Sequence, residues 1–452
     1  MAIDLGRLGA LSPVDGRYGH QTEALQPFFS EFALMHYRAK VEVAYWLALS
    51  KLPLAPFQQL PPNLDGQLMA LAVDFSEADA MRIKALEQET NHDVKALEYW
   101  LKERMAPLVP AACLEFVHFG LTSQDVNNTA IPLALKDYAE KLLWPALDRL
   151  MAHLEALSID WAEVPMLART HGQPASPTRL GKEVLVFVER LRGQLTLWKA
   201  IPYRAKFGGA TGNFNAHHVA FPEVDWVAFS NEFVRQLGLE RTAVTTQIEP
   251  YDMLAAWLDA HRRVNTILLD LCRDVWQYIS MEYFLQKTKV GEVGSSAMPH
   301  KVNPIDFENA EGNLGLANAL LQFLSEKLPI SRLQRDLTDS TVLRNLGMPM
   351  AHAWISFRSI SRGLDKLVLN EVAIRHDLAE QWVVVAEGIQ TRLRALGYPQ
   401  PYEALKELTR GKGKLEQADF QRFIDGLEVP AEVKMELKNI TPFNYTGIAK
   451  LL

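Results

Sequence analysis

Between Pro250 and Gly291 the chain contains neither glycine nor proline. Inside that run Val264, Leu268, Leu271, Val275, Tyr278 and Met281 recur at spacings of three and four. This is the period of an apolar stripe on an α-helix. A single helix over most of the run would reach about 60 Å at ~1.5 Å per residue. One small domain cannot cover a helix of that length. The run therefore predicts an elongated bundle that buries its flanks by oligomerising. The alternative is two shorter helices joined at a kink.

Other segments repeat the helical signal. Phe28 to Leu52 follows Pro27 without a breaker, and Ser76-Glu77-Ala78-Asp79 has the hydroxyl and early acids of a helix start. Pro132, Pro145 and Pro165 punctuate two further helical stretches. From Pro304 to Pro329 apolar residues keep helical spacing, and Gly312 and Gly315 permit a bend or close helix approach. Alternating strands with hairpin turns are scarce, so the expected fold is all-α. Breaks at Pro107–Pro110 and around Leu369-Asn370-Glu371 suggest three helical domains: residues 1–112, a central long-helix bundle over 113–365, and 366–452.

Composition narrows the partners. With 452 residues, 48% hydrophobic and 22% charged, the chain reads as a packed globular protein. Its net charge of −7 gives no global basic field, which argues against nucleic-acid coating and leaves room for a local basic pocket. Two cysteines, Cys113 and Cys272, rule out a disulfide scaffold or a Cys-rich zinc site and suit a reducing cytoplasm. The N-terminus lacks the basic start and apolar core of a signal peptide, and no run of about 18 apolar residues suggests a membrane span. A soluble cytoplasmic protein without a membrane partner is expected.

Phosphate-loop, dinucleotide, zinc-protease and nucleophile-elbow motifs are all absent. Instead, polar glycine-bearing segments interrupt the helices. Gly291 to Pro304 carries two serines, a lysine and an asparagine behind a glycine-rich entrance, a composition suited to closing over an anionic substrate or to a plain helix connection. Arg169-Thr170-His171-Gly172-Gln173-Pro174-Ala175 offers an imidazole, a side chain that titrates near neutrality and serves as acid or base. His118 to Asp125 supplies hydroxyls and amides for oxyanion contacts or a helix cap. Arg332 to Arg344 sets three arginines beside Ser340, an anion clamp or a salt-bridged helix face.

The string GSSAMPHKVNP matches in full the G-S-S-x-M-P-x-K-x-N signature of the fumarase/aspartase superfamily, which it therefore resembles. Within it, RTHGQPASP is similar to the R-T-H-G-Q-P-A-S/T-P of the adenylosuccinate lyase family. SPVDGRYG, TNHDVKALEYWLKE, FVHFGLTSQDVNN, TTQIEPYD and LQRDLTDSTVLRNLG resemble the bacterial form of that family. The resemblance covers nearly the whole chain. It implies a homotetramer whose long central helices form a shared core, with active sites built from several subunits. The implied reactions cleave adenylosuccinate to AMP and fumarate, and the succinyl-carboxamide ribotide of purine synthesis to the carboxamide ribotide and fumarate, without metal or organic cofactor. A sister lyase acting on argininosuccinate is the alternative.

Site residues follow from the same resemblance. Ser295 is implied as the base and His171 as the acid on the opposite side of the substrate, with Glu308 orienting His171. Lys301 and Asn303 would hold the succinyl carboxylates, and Ser296, Thr122 and Ser123 would add hydrogen bonds there. Arg17, Tyr18, Arg335, Ser340 and Arg344 would hold phosphate and ribose. Asn91, His92 and Asp93 would line the nucleotide end, and Gln247 would lie near the scissile bond.

Overall fold

The computed structural model describes residues 6–287, 302–409 and 414–449. Helices dominate, and among the described residues the strands form only three two-stranded sheets, so the fold is all-α as expected. The chain gathers into two compact units. The first comprises Met1–Leu147, Gln194–Thr266 and Gly312–Phe357; the second comprises Asp148–Gly193, Ile267–Glu311 and Arg358–Leu452.

Capping chemistry explains where helices begin. Ser30 precedes the Glu31–Ser50 helix and its hydroxyl accepts from Ala33 N at 3.0 Å. Ser76 and Asp79 form the reciprocal box that opens Glu77–Thr90, at 3.3 Å and 3.0 Å. Glu31–Ser50 is buried along most of its length, and Tyr45, Trp46 and Leu49 sit at the centre of the first unit's core. Trp46 donates its indole N–H to Cys113 O at 3.0 Å, leaving no orphan donor there.

Three details depart from the sequence expectation. First, the long run is one helix, Asp252–Ser280, of 29 residues or about 44 Å. It stops short because Glu282 adopts a left-handed φ of 61° and Phe284–Gln286 then pairs antiparallel with Leu367–Leu369. Second, Pro132 does not end its helix, which runs through it from Ser123 to Tyr138. Burial of Val126 to Ala130 and Leu133 to Leu135 offsets the missing hydrogen bond. Third, the His171 segment is a β-hairpin, described below. Ile305–Lys327 is helical throughout, as its spacing predicts. Gly312 and Gly315 lie on it with open space where a Cβ would stand. In the second unit, Gly363 is required by close approach, since a Cβ there would lie 2.7 Å from the Phe307 ring.

Candidate active site

The first unit contains a cavity of about 590 Å³. Asn91, His92, Asp93, Ser123, Arg335, Ser340 and Arg344 line it, and they come from three segments far apart in sequence. Apolar side chains including Phe28, Leu34, Ile131 and Leu346 complete the wall. A largely apolar cavity with a few convergent polar groups is the usual form of a small-molecule site.

Local structure delivers each polar group. Asn91 takes the left-handed conformation (φ 51°) that ends Glu77–Thr90, and His92 caps the next helix by accepting from Lys95 N at 3.1 Å. Asp93 follows and receives Arg38 Nη2 at 2.8 Å and Arg344 Nη2 at 3.1 Å on one oxygen. Burial opposes ionisation of Asp93, yet Arg38, the Val94 N–H and Arg344 together hold its carboxyl below the ordinary value. Arg335 donates to Ser340 Oγ at 2.7 Å and faces Asp339 Oδ1 at 3.4 Å. The Arg-rich segment is thus both cavity wall and salt-bridged face.

Arg38 was not apparent as a site residue from the sequence. Its side chain is 6% exposed, and it bonds Asn127 Oδ1 at 2.7 Å as well as Asp93. The available signal was a cation at position 38 and an acid at position 42 on a buried face whose other residues are hydrophobic.

Thr122 and Ser123 open the Ser123–Tyr138 helix. Thr122 N donates to Asp125 Oδ2 at 2.8 Å, and Asp125 Oδ1 accepts from Lys206 Nζ at 2.8 Å, Gly208 N at 2.8 Å and Gly209 N at 3.1 Å. Both charged side chains are 0% exposed. One buried carboxylate therefore fixes the Thr122–Ser123 corner against the 206–209 loop. Gln247 donates to Ala210 O at 3.2 Å, just beyond that loop. Neither Thr122 nor Gln247 forms part of the cavity wall, and Arg17 and Tyr18 lie in the turn ahead of Gly19–Thr22, also off the wall.

The corner before Thr122 is tight. Gly120 has φ 67°, and a Cβ there would lie 2.6 Å from the His217 ring. His217 Nε2 meets Tyr45 Oη at 3.0 Å, and burial pushes its imidazole down to about 4 from an ordinary 6.5. The unfolded chain therefore takes up this proton first as pH falls. Stability held by neutral His217 is complete above pH 6.5 and is lost as pH drops toward 4. Unfolding midpoints measured over this range should fall more steeply for the native protein than for His217→Gln. Equal slopes would contradict the assignment.

In the second unit, His171 sits at the tip of a hairpin between Pro165–Thr170 and Gln173–Arg179. Thr170 pairs with Gln173, so His171 and Gly172 form a two-residue loop, with φ of 54° and 73°. Positive φ at both positions suits the strand twist and favours Gly or Asn. Arg169 anchors the hairpin through Asp377, at 2.9 Å and 2.7 Å. His171 is exposed at this tip. Asn303 precedes the Ile305–Lys327 helix, and Glu308 on its first turn accepts from Trp276 Nε1 at 3.0 Å. Ser295, Ser296 and Lys301 lie outside the described residues. Among the described residues no group of three or more His, Cys, Asp or Glu could hold a metal ion, and no helix is long and apolar enough to cross a membrane.

Comparison with known proteins follows the same outline. Residues 12–318 match the Lyase family and residues 331–446 match the family described as Adenylosuccinate lyase C-terminal. The chain is 57% identical over 456 residues to an adenylosuccinate lyase from Dictyostelium discoideum, covering 99% of this chain and 98% of that protein. It is 48% identical over 452 residues to the adenylosuccinate lyase of Escherichia coli, with the same coverage. Among solved structures, a 3-carboxy-cis,cis-muconate lactonizing enzyme from Pseudomonas putida superposes with a TM-score of 0.74 at 21% identity, covering 99% of this chain and 97% of that one. A fumarate lyase from Mesorhizobium sp. gives 0.74 at 19%, covering 95% and 96%. These last two likenesses concern the fold alone.

Proposed function

The chain belongs to the adenylosuccinate lyase family, and from that premise we propose how its own residues carry out the cleavage. It is a carbon–nitrogen lyase that converts adenylosuccinate to AMP and fumarate. The succinyl-carboxamide ribotide is proposed as a second substrate, cleaved the same way, because the bond broken and the fumarate released are identical.

The reaction is an elimination. Ser295 removes a proton from the succinyl carbon beside a carboxylate. The electron pair left behind forms the fumarate double bond as the C–N bond breaks, and the departing nitrogen takes a proton from His171. Lys301 and Asn303, with Ser296, Thr122 and Ser123, stabilise the charge that builds on the carboxylates. Arg335, Ser340 and Arg344, joined by Arg17 and Tyr18, hold phosphate and ribose. Asn91, His92 and Asp93 line the nucleotide end, and Gln247 lies near the breaking bond. The observation that carries this reading is the cavity of the first unit, where Arg335, Arg344 and Ser340 converge in a protein of net charge −7. Arginine forks there suit phosphate.

We further propose a cytoplasmic homotetramer in which the His171 hairpin and Glu308 of different subunits complete one site. Support comes from the Ile305–Lys327 helix, where Leu316 and Phe323 are each 55% exposed beside the open surfaces of Gly312 and Gly315. Small and large apolar residues on one face suit close packing against another long helix. The buried, unpaired Cys113 and Cys272 suit a reducing compartment.

Purified protein offered adenylosuccinate should lose the substrate's ultraviolet absorbance with stoichiometric release of fumarate, and argininosuccinate should remain untouched. Turnover of argininosuccinate alone would overturn the reading.

A further inference from the structure

We propose that Tyr251 is a positioning residue that fixes the phosphate-holding segment, Arg335 to Ser340, against the segment carrying Gln247. This rests on the assignment of Arg335 and Ser340 to phosphate made above. Tyr251 is 3% exposed and begins the long Asp252–Ser280 helix with a left-handed φ of 66°. A bulky aromatic residue in that region is strained, and it persists only where the surroundings over-determine it. The surroundings here do so. The phenol donates to Asp339 Oδ2 at 3.1 Å and accepts from Asn128 Nδ2 at 2.7 Å. Asn128 Oδ1 returns to the same segment by accepting from Glu249 N at 2.8 Å. Glu249 in turn accepts from Tyr251 N, and from Thr242 Oγ1 at 2.8 Å.

Asp339 is the link to the cavity. Its Oδ1 accepts from Ser340 N at 2.7 Å and faces Arg335 at 3.4 Å. The loose Arg335 contact leaves guanidinium donors for an incoming anion, while the carboxylate stops the side chain from swinging away. Asn128, Glu249, Tyr251 and Asp339 are all buried, so water does not substitute for a lost member. Burial, reinforced by the Asp339 carboxylate, pushes the phenol well above its ordinary value. A single hydroxyl thus joins the residues that grip one end of the nucleotide to the chain that reaches the bond being broken. The sequence reading gave Tyr251 no role and Asp339 only that of a local salt-bridge partner.

The test compares AMP with adenosine as inhibitors of the full-length enzyme. Tyr251→Phe keeps the ring and removes only the hydroxyl. We expect the inhibition constant of AMP and the KM for adenylosuccinate to rise about tenfold, as for one lost hydrogen bond to a charged group, with a smaller fall in kcat. Inhibition by adenosine, which lacks phosphate, should change less than twofold. Equal weakening of both inhibitors, or a fall in kcat at unchanged KM, would mean a merely structural tyrosine and overturn the proposal. Should Tyr251→Phe fail to fold, Asp339→Asn takes its place with the same expected selectivity and the same contrary result. Arg335→Gln checks the premise separately. It should weaken AMP and spare adenosine, and failure there would remove the phosphate assignment and the proposal with it.

Discussion

Substitution of His171 by asparagine is expected to lower kcat about a hundred- to ten-thousand-fold, the contribution of a positioned general acid. Asparagine is the informative replacement because the site is a two-residue hairpin loop. His171 has φ 54° and Gly172 φ 73°, and Asn-Gly is the pair that such a loop prefers. The hairpin pairing Thr170↔Gln173 and the Arg169–Asp377 anchor should survive. Loss of turnover then reports the missing proton donor rather than a damaged support. Nucleotide binding should stay near normal, since the acid acts mainly in the transition state. A His171→Asn enzyme that turned over within a fewfold of the native rate would remove His171 from the chemistry.

The second large effect concerns stability. Removing the carboxylate of Asp125 by alanine substitution is expected to cost about 3–5 kcal/mol, the usual penalty for stranding one partner of a buried pair. Lys206 would be left charged at 0% exposure, and the Thr122, Gly208 and Gly209 amides would lose their acceptor. Asp125→Asn is no remedy. Every polar group facing the carboxylate is a donor, so an amide NH2 would point at another N–H or at the ammonium. Denaturant unfolding at fixed protein concentration measures the change. A loss below about 1 kcal/mol would contradict the buried-pair reading.

Part of the cavity wall was legible in the sequence for a physical reason: Ser123, Arg335, Ser340 and Arg344 stand in polar segments read as interrupting the helices, whereas Asn91, His92 and Asp93 were indicated only by the family resemblance. The helix start at Ser76 was equally readable, because a cap is a local interaction between residues three apart, whereas the cap at Ser30 falls inside a run that reads as continuous from Phe28. What sequence did not reveal depends on distant pairing. The His171 hairpin carries proline and polar residues in place of alternating apolar ones, and its identity comes from its partner strand. The end of the long helix is set by the pairing of Phe284–Gln286 with Leu367–Leu369, whose partner lies far along the chain. Arg38 lies on a helix that reads as plain core, and its role appears only when Asp93 and Arg344 fold against it. Asp125 and Asp339 were legible only locally, as a helix cap and as a salt-bridge partner in the arginine-rich segment, and their links to Lys206 and Tyr251, like Tyr251 itself, depend on distant contacts.

In the shared-site arrangement proposed above, residues of different subunits complete one active site, and the serine and the imidazole are the pair whose separation can be measured. Mixing Ser295→Ala with His171→Asn, each inactive alone, tests that arrangement directly once subunit exchange has been verified. Random reassembly in equal amounts should restore about one quarter of native fumarate release, because that fraction of composite sites receives both intact residues. Fumarate release that stays at the level of the separate variants would contradict shared sites.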